Sequence, residues 1–212
     1  MKPMLPLDHI LWTVPDLQSG ISLFEQMTGV RAGIGGRHPG RGTQNALASF
    51  GEGCYLEIVA PDPAQPLENN YGAIVHARQA PGLITFVMRC TDMAPVASAA
   101  ARLGLPWDGP NPCSRQRPDG EFLHWRLGFT EGSAFGDYLP YYIDWQDTPH
   151  PSETAPGGLQ LLEFEVIHPK ADELRAIYRE LGIAVPVRRA LQPGMRALVA
   201  CPAGQIVLTS LL

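Results

Sequence analysis

The chain predicts an α+β protein in which tandem βαβββ modules form curved mixed sheets around a cup, with a third βαβββ-like unit at the C-terminus. Three observations carry that expectation. Helix starts fall near residues 16, 92 and 169, a spacing of about 76 residues that reads as internal repetition. An apolar, strand-like run precedes each helix. Short β segments separated by Gly and Pro turns follow each one.

The first unit opens with "LDHILWTVPDL". Side chains alternate along a strand, so Ile10, Trp12 and Val14 share one face while His9, Leu11 and Thr13 share the other. Asp16 can cap the helix that follows, Leu17, Ile21, Phe24 and Met27 recur at helical spacing, and Gly29 can end it. "GGRHPGRG" then reads as a glycine-rich turn, "TQNALASF" as an alternating strand, and "CYLEIVA" as a strand after "GEG". The second unit begins at "LITFVMRCTDM", with a helix capped by Asp92, striped by Met93, Val96, Ala100 and Leu103, and followed by Gly104. "RPDG" is its turn, since Pro118 presets φ and Gly120 tolerates positive φ, with "FLHWRLGF" and "YLPYYIDW" as strands beyond it. In "LLEFEVIHPKADELRAIYRELG" Pro169 opens a third helix carrying Leu174, Ile177 and Leu181 and closed by Gly182. "QPG" and "CPAG" punctuate its strands "VPVRRAL", "MRALVA" and "QIVLTSLL".

These elements divide the chain into paired modules within 1–150, at 5–62 and 82–146, and a third module at 158–212. The Pro-, Asp- and Gly-rich stretches 61–80 and 146–159 read as linkers. A four-stranded sheet does not leave an apolar face wet, so the third unit should pack on the first two modules or on a partner chain. A homodimer is expected on that ground.

Composition removes several function classes. No apolar run among the 212 residues approaches the roughly 18 that a membrane span requires. The opening "MKPMLPLDHI" lacks the architecture of a secretory signal, which implies a cytoplasmic address. Four scattered cysteines (Cys54, Cys90, Cys113, Cys201) with no C-x-x-C pair read as reduced, packed thiols. A net charge of -5 with no basic stripe argues against nucleic acid. No Gly-x-Ser-x-Gly, nucleotide fingerprint or supported Cys-His pair points to hydrolase chemistry.

Chemistry concentrates elsewhere. His9 in an apolar strand is either a hydrogen-bonded core histidine or a group aimed at a cavity. Glu57, flanked by Tyr55, Leu56, Ile58 and Val59, is costly to bury unless paired or coordinated. "GGRHPGRGTQN" gathers Arg37, His38, Arg41, Thr43 and Asn45, which either hold an anionic substrate group or form a solvated hairpin. Arg115, Arg117 and Arg126 lie around the second hairpin, where Arg126 either contacts substrate or pairs with an acid such as Glu57 or Asp137. Tyr141, Tyr142 and Trp145 either stack on a ligand or belong to the core.

A repeated βαβββ module with His in its first strand ("DHILWTVPDL") and Glu in its last ("YLEIVAPD") resembles the vicinal oxygen chelate superfamily. Through "LDHILWTVPDL", "GGRHPGRGTQN", "YLEIVAPDP" and "SRQRPDGEFLHWRLGF" the chain resembles its glyoxalase-like domain proteins. That resemblance implies a small-molecule enzyme, a lyase, isomerase or dioxygenase, acting on an oxygenated, anionic substrate through a metal-stabilised oxyanion. It places His9 and Glu57 as metal ligands and catalytic groups, with His38 or His124 moving the proton. Arg37, Arg41, Asn45 and Arg126 are its substrate contacts. In the second module Thr85 stands where His9 has its counterpart, and Ile143 or Asp144 where Glu57 does, so half of the expected metal shell is missing. His124 would then complete a two-histidine, one-carboxylate set for zinc, iron, manganese or nickel, provided that it faces the cup. The alternative is a metal-free protein that binds or sequesters a small ligand.

Overall fold

A computed structural model describes residues 4–51, 53–130 and 132–210. The first module contains β1 (Leu7–Thr13), α1 (Leu17–Thr28), β2 (Gly33–His38), β3 (Thr43–Gly51) and β4 (Cys54–Pro61). A short helix, α2 (Tyr71–His76), leads to the second module: β5 (Gly82–Arg89), α3 (Ala94–Arg102), β6 (Asp108–Gln116), β7 (Phe122–Phe129) and β8 (Tyr141–Asp144). The third unit contains β9 (Gln160–Ile167), α4 (Ala171–Leu181), β10 (Val187–Arg188), β11 (Gly194–Cys201) and β12 (Gly204–Thr209). Leu211 and Leu212 of the expected last strand, and Glu52 of the "GEG" turn, lie outside the described residues.

The two modules close into one barrel in the order β1-β4-β3-β2-β6-β7-β8-β5. Within each module the first strand runs parallel to the last, β1 beside β4 and β5 beside β8. One seam is the antiparallel β1/β5 pair, and the other is thin, with β2 meeting β6 at Arg37 opposite Gln116. β6 carries Pro110 and Pro112, which argue against a strand in sequence. It is tolerated at this sparse seam because a missing N–H there breaks few ladder bonds.

Local signals explain the helices. Asp16 Oδ1 accepts from the Ser19 amide at 2.8 Å, and Gly29 ends α1 at a φ of 75°. Asp92 stands one residue before the N-cap of α3, which is Met93 and makes no side-chain cap, so its Oδ1 accepts only the Ala94 amide at 2.9 Å, while Gly182 closes α4 at a φ of 77°. Three expectations change. "GGRH" is the end of strand β2, and the chain turns only after His38. The strand expected over "YLPYYIDW" is confined to Tyr141–Asp144, because a 3-10 turn at Gly136–Tyr138 and then Pro140 precede it. The linker 61–80 contains α2, capped by Asn70.

Two apolar clusters follow from strand alternation. Ile10, Trp12, Phe86, Met88 and Tyr142 point outward and pack beneath α1, α3 and the third unit. Leu11, Leu47, Val59, Val87, Ile143 and Trp145 point into the barrel. The third unit sits on the outer cluster, with Phe86 5.3 Å from Phe164 and 6.3 Å from Tyr178 between ring centroids. Each such buried aromatic side chain contributes about 1.5–3 kcal/mol. The face that suggested a partner chain is therefore covered by the barrel of the same chain. The opposite face of that sheet is charged, with Arg188 pairing with Glu165 and Arg196 with Glu163. Its strand order, β10-β9-β11-β12, puts the first strand beside the second and third, unlike β1, which pairs with β4. Among the described residues no helix is long and apolar enough to cross a membrane.

Candidate active site

The barrel interior is a cavity of about 660 Å³ that opens to solvent and takes side chains from both modules. His9 and Leu11 enter it from β1, Asn45 from β3, Tyr55, Glu57 and Val59 from β4, and Val87 from β5. Three of the polar groups lining it are nearly inaccessible, His9 at 5% exposed, Glu57 at 7% and Arg115 at 6%, and Asp8, behind His9, is 0% exposed.

Asp8 reaches this site through an irregularity. Strict alternation would send it outward with Ile10, but the β1/β5 register shifts between Leu7 and His9, so Asp8 is the extra residue. Its Oδ1 accepts from His9 Nδ1 at 2.6 Å. Its Oδ2 accepts from Trp145 Nε1 at 3.1 Å and from His150 Nε2 at 3.0 Å. His150 Nδ1 accepts the Ser152 amide at 3.2 Å, which leaves Nε2 as the proton-bearing nitrogen. Both residues that complete the Asp8 shell thus lie at or beyond the end of β8, and His150 comes from a stretch that reads as a linker.

On its other side His9 Nε2 stands 3.5 Å from Glu57 Oε2. Glu57 Oε1 accepts from Asn45 Nδ2 at 2.7 Å and lies 3.8 Å from His38 Nε2. His38 Nδ1 is 2.9 Å from Thr43 Oγ1, and Asn45 Nδ2 is 3.4 Å from His38 Nε2. With Thr43 accepting from Nδ1–H, the Nε2 lone pair of His38 faces Asn45 and Glu57. Tyr55 stacks on His9 at 4.4 Å, nearly parallel.

Burial alone would drive the proton from His9, but hydrogen bonds to Asp8 and Glu57 outweigh it and raise its pKa to about 9. Burial alone would protonate Glu57, yet the bond from His9 and the neighbouring His38 lower it to about 2. Asp8 is held well below the usual carboxylate range, its burial offset by bonds from His150 and His9. His38 goes the other way: burial, helped by Arg115 and Arg41 against the pull of Glu57, lowers it to about 4. At neutral pH the site therefore holds an imidazolium between two carboxylates, and a neutral imidazole beside one of them. Burial pushes the thiols of Cys54 and Cys90 up to about 12, so neither serves as a thiolate nucleophile.

The predicted site residues separate by strand face. His9, His38, Arg41, Asn45 and Glu57 converge on the cavity. Arg37 is its outward neighbour on β2, more than half exposed and 3.9 Å from Asp62. His124 and Arg126 are exposed on the outer face of β7, because Trp125, Leu127 and Phe129 take the inner one. The expectation that His124 faces the cup is thereby reversed, and neither His124 nor Arg126 reaches the Glu57 group. In the second module Ile143, not Asp144, lines the cavity, and Val87 lies opposite His9 across β1/β5. Thr85 is buried, its hydroxyl donating to the Asp137 carbonyl. Asp8, Arg115, Tyr71, Trp125 and His150 are site residues the sequence reading did not assign. A Pro- and Asn-rich segment and a strand bulge carry no periodic signal that would have found Tyr71 or Asp8.

The donors do not complete a metal shell. Both Glu57 oxygens face protein donors, the second module offers Val87 and Ile143, and among the described residues no group of three or more His, Cys, Asp or Glu could hold an ion.

Paired βαβββ modules closed around a His- and Glu-bearing cavity define a vicinal oxygen chelate fold. The chain belongs to the glyoxalase-like domain family, whose model matches residues 7–182. A hypothetical protein from Staphylococcus aureus superposes with a TM-score of 0.72 at 13% identity, over 90% of this chain and 88% of that one. Methylmalonyl-CoA epimerase from Mycobacterium tuberculosis gives 0.50 at 19% identity, over 68% of this chain and 90% of its own. A hypothetical protein from Bacillus halodurans gives 0.51 at 13% identity, over 68% and 96%. No curated protein matches the chain.

Proposed function

We propose that this protein is a small-molecule enzyme that moves a proton at a carbon beside an oxygenated group of an anionic substrate, as a lyase or isomerase. One observation carries the reading: His38, Glu57 and His9 converge in one open cavity, where their surroundings favour a neutral His38 beside an ionised Glu57 and a charged His9. His38 Nε2, 3.8 Å from Glu57 Oε1, acts as the base, and Glu57 stabilises the imidazolium it becomes. His9, charged and held between Asp8 and Glu57, sets a fixed positive charge beside the oxyanion that develops on the substrate. Asn45 holds Glu57 in place.

Exchange of a substrate C–H for deuterium tests this. Small 2-hydroxy and 2-oxo acids in D2O, followed by NMR, should exchange with the wild type and not with His38→Asn or Glu57→Gln. Binding without exchange or turnover across such a panel would leave the second reading, a ligand-sequestering protein. The apolar Val87 and Ile143 in the second module favour that second reading.

A further inference from the structure

Arg115 lies on β6 with its guanidinium buried at the cavity wall, and its partners are few. Its Nη1 is 3.5 Å from Asn45 Oδ1, and among the described residues its buried Nε–H meets no acceptor and it forms no ion pair. A buried cation without a paired carboxylate is costly, and the described residues leave Arg115 short of an acceptor that a ligand can supply. The chain makes room for this arrangement at "GGRH". A Cβ on Gly35 would stand 2.2 Å from Asn45 Oδ1 and 2.8 Å from Arg115 Nη1. One on Gly36, at a φ of +143°, would stand 1.9 Å from the Gln116 carbonyl and 3.2 Å from Arg115 Cγ. The glycine pair thus lets the Arg115 side chain cross the thin β2/β6 seam to reach Asn45. Arg41, held 3.3 Å from Cys113 Sγ, adds a second cation to the same cavity.

The rest of the wall is different in kind. Trp125, Leu127, Phe129, Tyr141 and Ile143 face the same space, and Tyr71 on α2 brings a buried hydroxyl with no partner among the described residues. A volume of about 660 Å³ exceeds what a three-carbon acid fills.

We infer that the cavity takes a monocarboxylate with an aromatic or similarly bulky apolar body, its carboxylate held by Arg115 and its body against the Trp125–Phe129 wall. A guanidinium fits a carboxylate through paired, parallel N–H donors, which an amide cannot match in charge. The inference rests on the proposed reaction only for where the reacting carbon lies.

Calorimetric titration with 2-hydroxy-3-phenylpropanoate, its primary amide and lactate separates the two contributions. The phenyl acid should bind the wild type, with the amide and lactate each about tenfold weaker or worse. Arg115→Gln should bind acid and amide alike, with Arg115→Lys recovering part of the preference. Absence of binding by the phenyl acid, equal binding of acid and amide to the wild type, or lactate binding as tightly would overturn it. The wild-type comparison stands even if a variant does not fold. Deuterium exchange is a separate readout, so binding through Arg115 without exchange would sink the proposed reaction and leave this inference intact.

Discussion

Asp8 and His9 are neighbours in β1, yet their side chains meet at 2.6 Å on the same side of the barrel wall. A regular strand would point them apart, and the register shift between Leu7 and His9 is what turns Asp8 inward. That contact fixes which nitrogen of His9 faces Glu57 and keeps its imidazole charged.

Asp8→Asn should therefore cost more than a hydrogen bond. Asp8 accepts from His9, Trp145 and His150, and removing its charge leaves the buried imidazolium with Glu57 alone. A loss of about 3–5 kcal/mol is expected on chemical denaturation, as for other broken buried pairs. NMR titration should show the His9 pKa falling from its raised value.

Stability should peak near pH 6.5. The His9 pKa is about 9 in the folded chain against 6.5 as a free group, so its contribution is complete below 6.5 and is lost as pH rises through 9. His38 is lowered from 6.5 to about 4, so its contribution is complete above 6.5 and fades as pH falls through 4. Glu57, lowered from 4.5 to about 2, adds a further loss below 4.5. Denaturation midpoints from pH 3 to 10 check this: His38→Asn should flatten the acid limb and Asp8→Asn the alkaline one. A midpoint still rising at pH 9 would contradict the assignment of His9.

Gly36→Ala should destabilise by about 1–3 kcal/mol, since its backbone is strained for any side chain and its Cβ would collide with the Gln116 carbonyl. Gly35→Ala should act on the site more than on the fold, because the clash is with the ends of the Asn45 and Arg115 side chains. Its signature would be weakened acid binding with a small change in melting temperature.

Zinc, manganese, iron(II) or nickel should leave the melting temperature unchanged, because a ligand stabilises only the state that binds it. A rise that disappears in Glu57→Gln would return His9 and Glu57 to the role of metal ligands.

Much of this molecule is legible in its amino-acid order. The 76-residue recurrence, the caps at Asp16 and Gly29, and alternation along "LDHILWTVPDL" and "CYLEIVA" determine two barrel modules with His9 and Glu57 inside. Those signals survive because they are local: a capping carboxylate needs only the next turn, and a period of two needs only its own strand. What the tertiary structure decided is which face counts. His124 and Arg126 fell outside while Trp125 and Leu127 fell inside, since β7 contributes its aromatic parity to the cavity and one residue of register reverses every side chain. Asp8, His150, Tyr71 and Arg115 entered the site by a bulge, two connecting stretches and a glycine-lined seam. Each of these acquires its place from contacts distant in sequence, and no periodicity within a short window encodes such contacts.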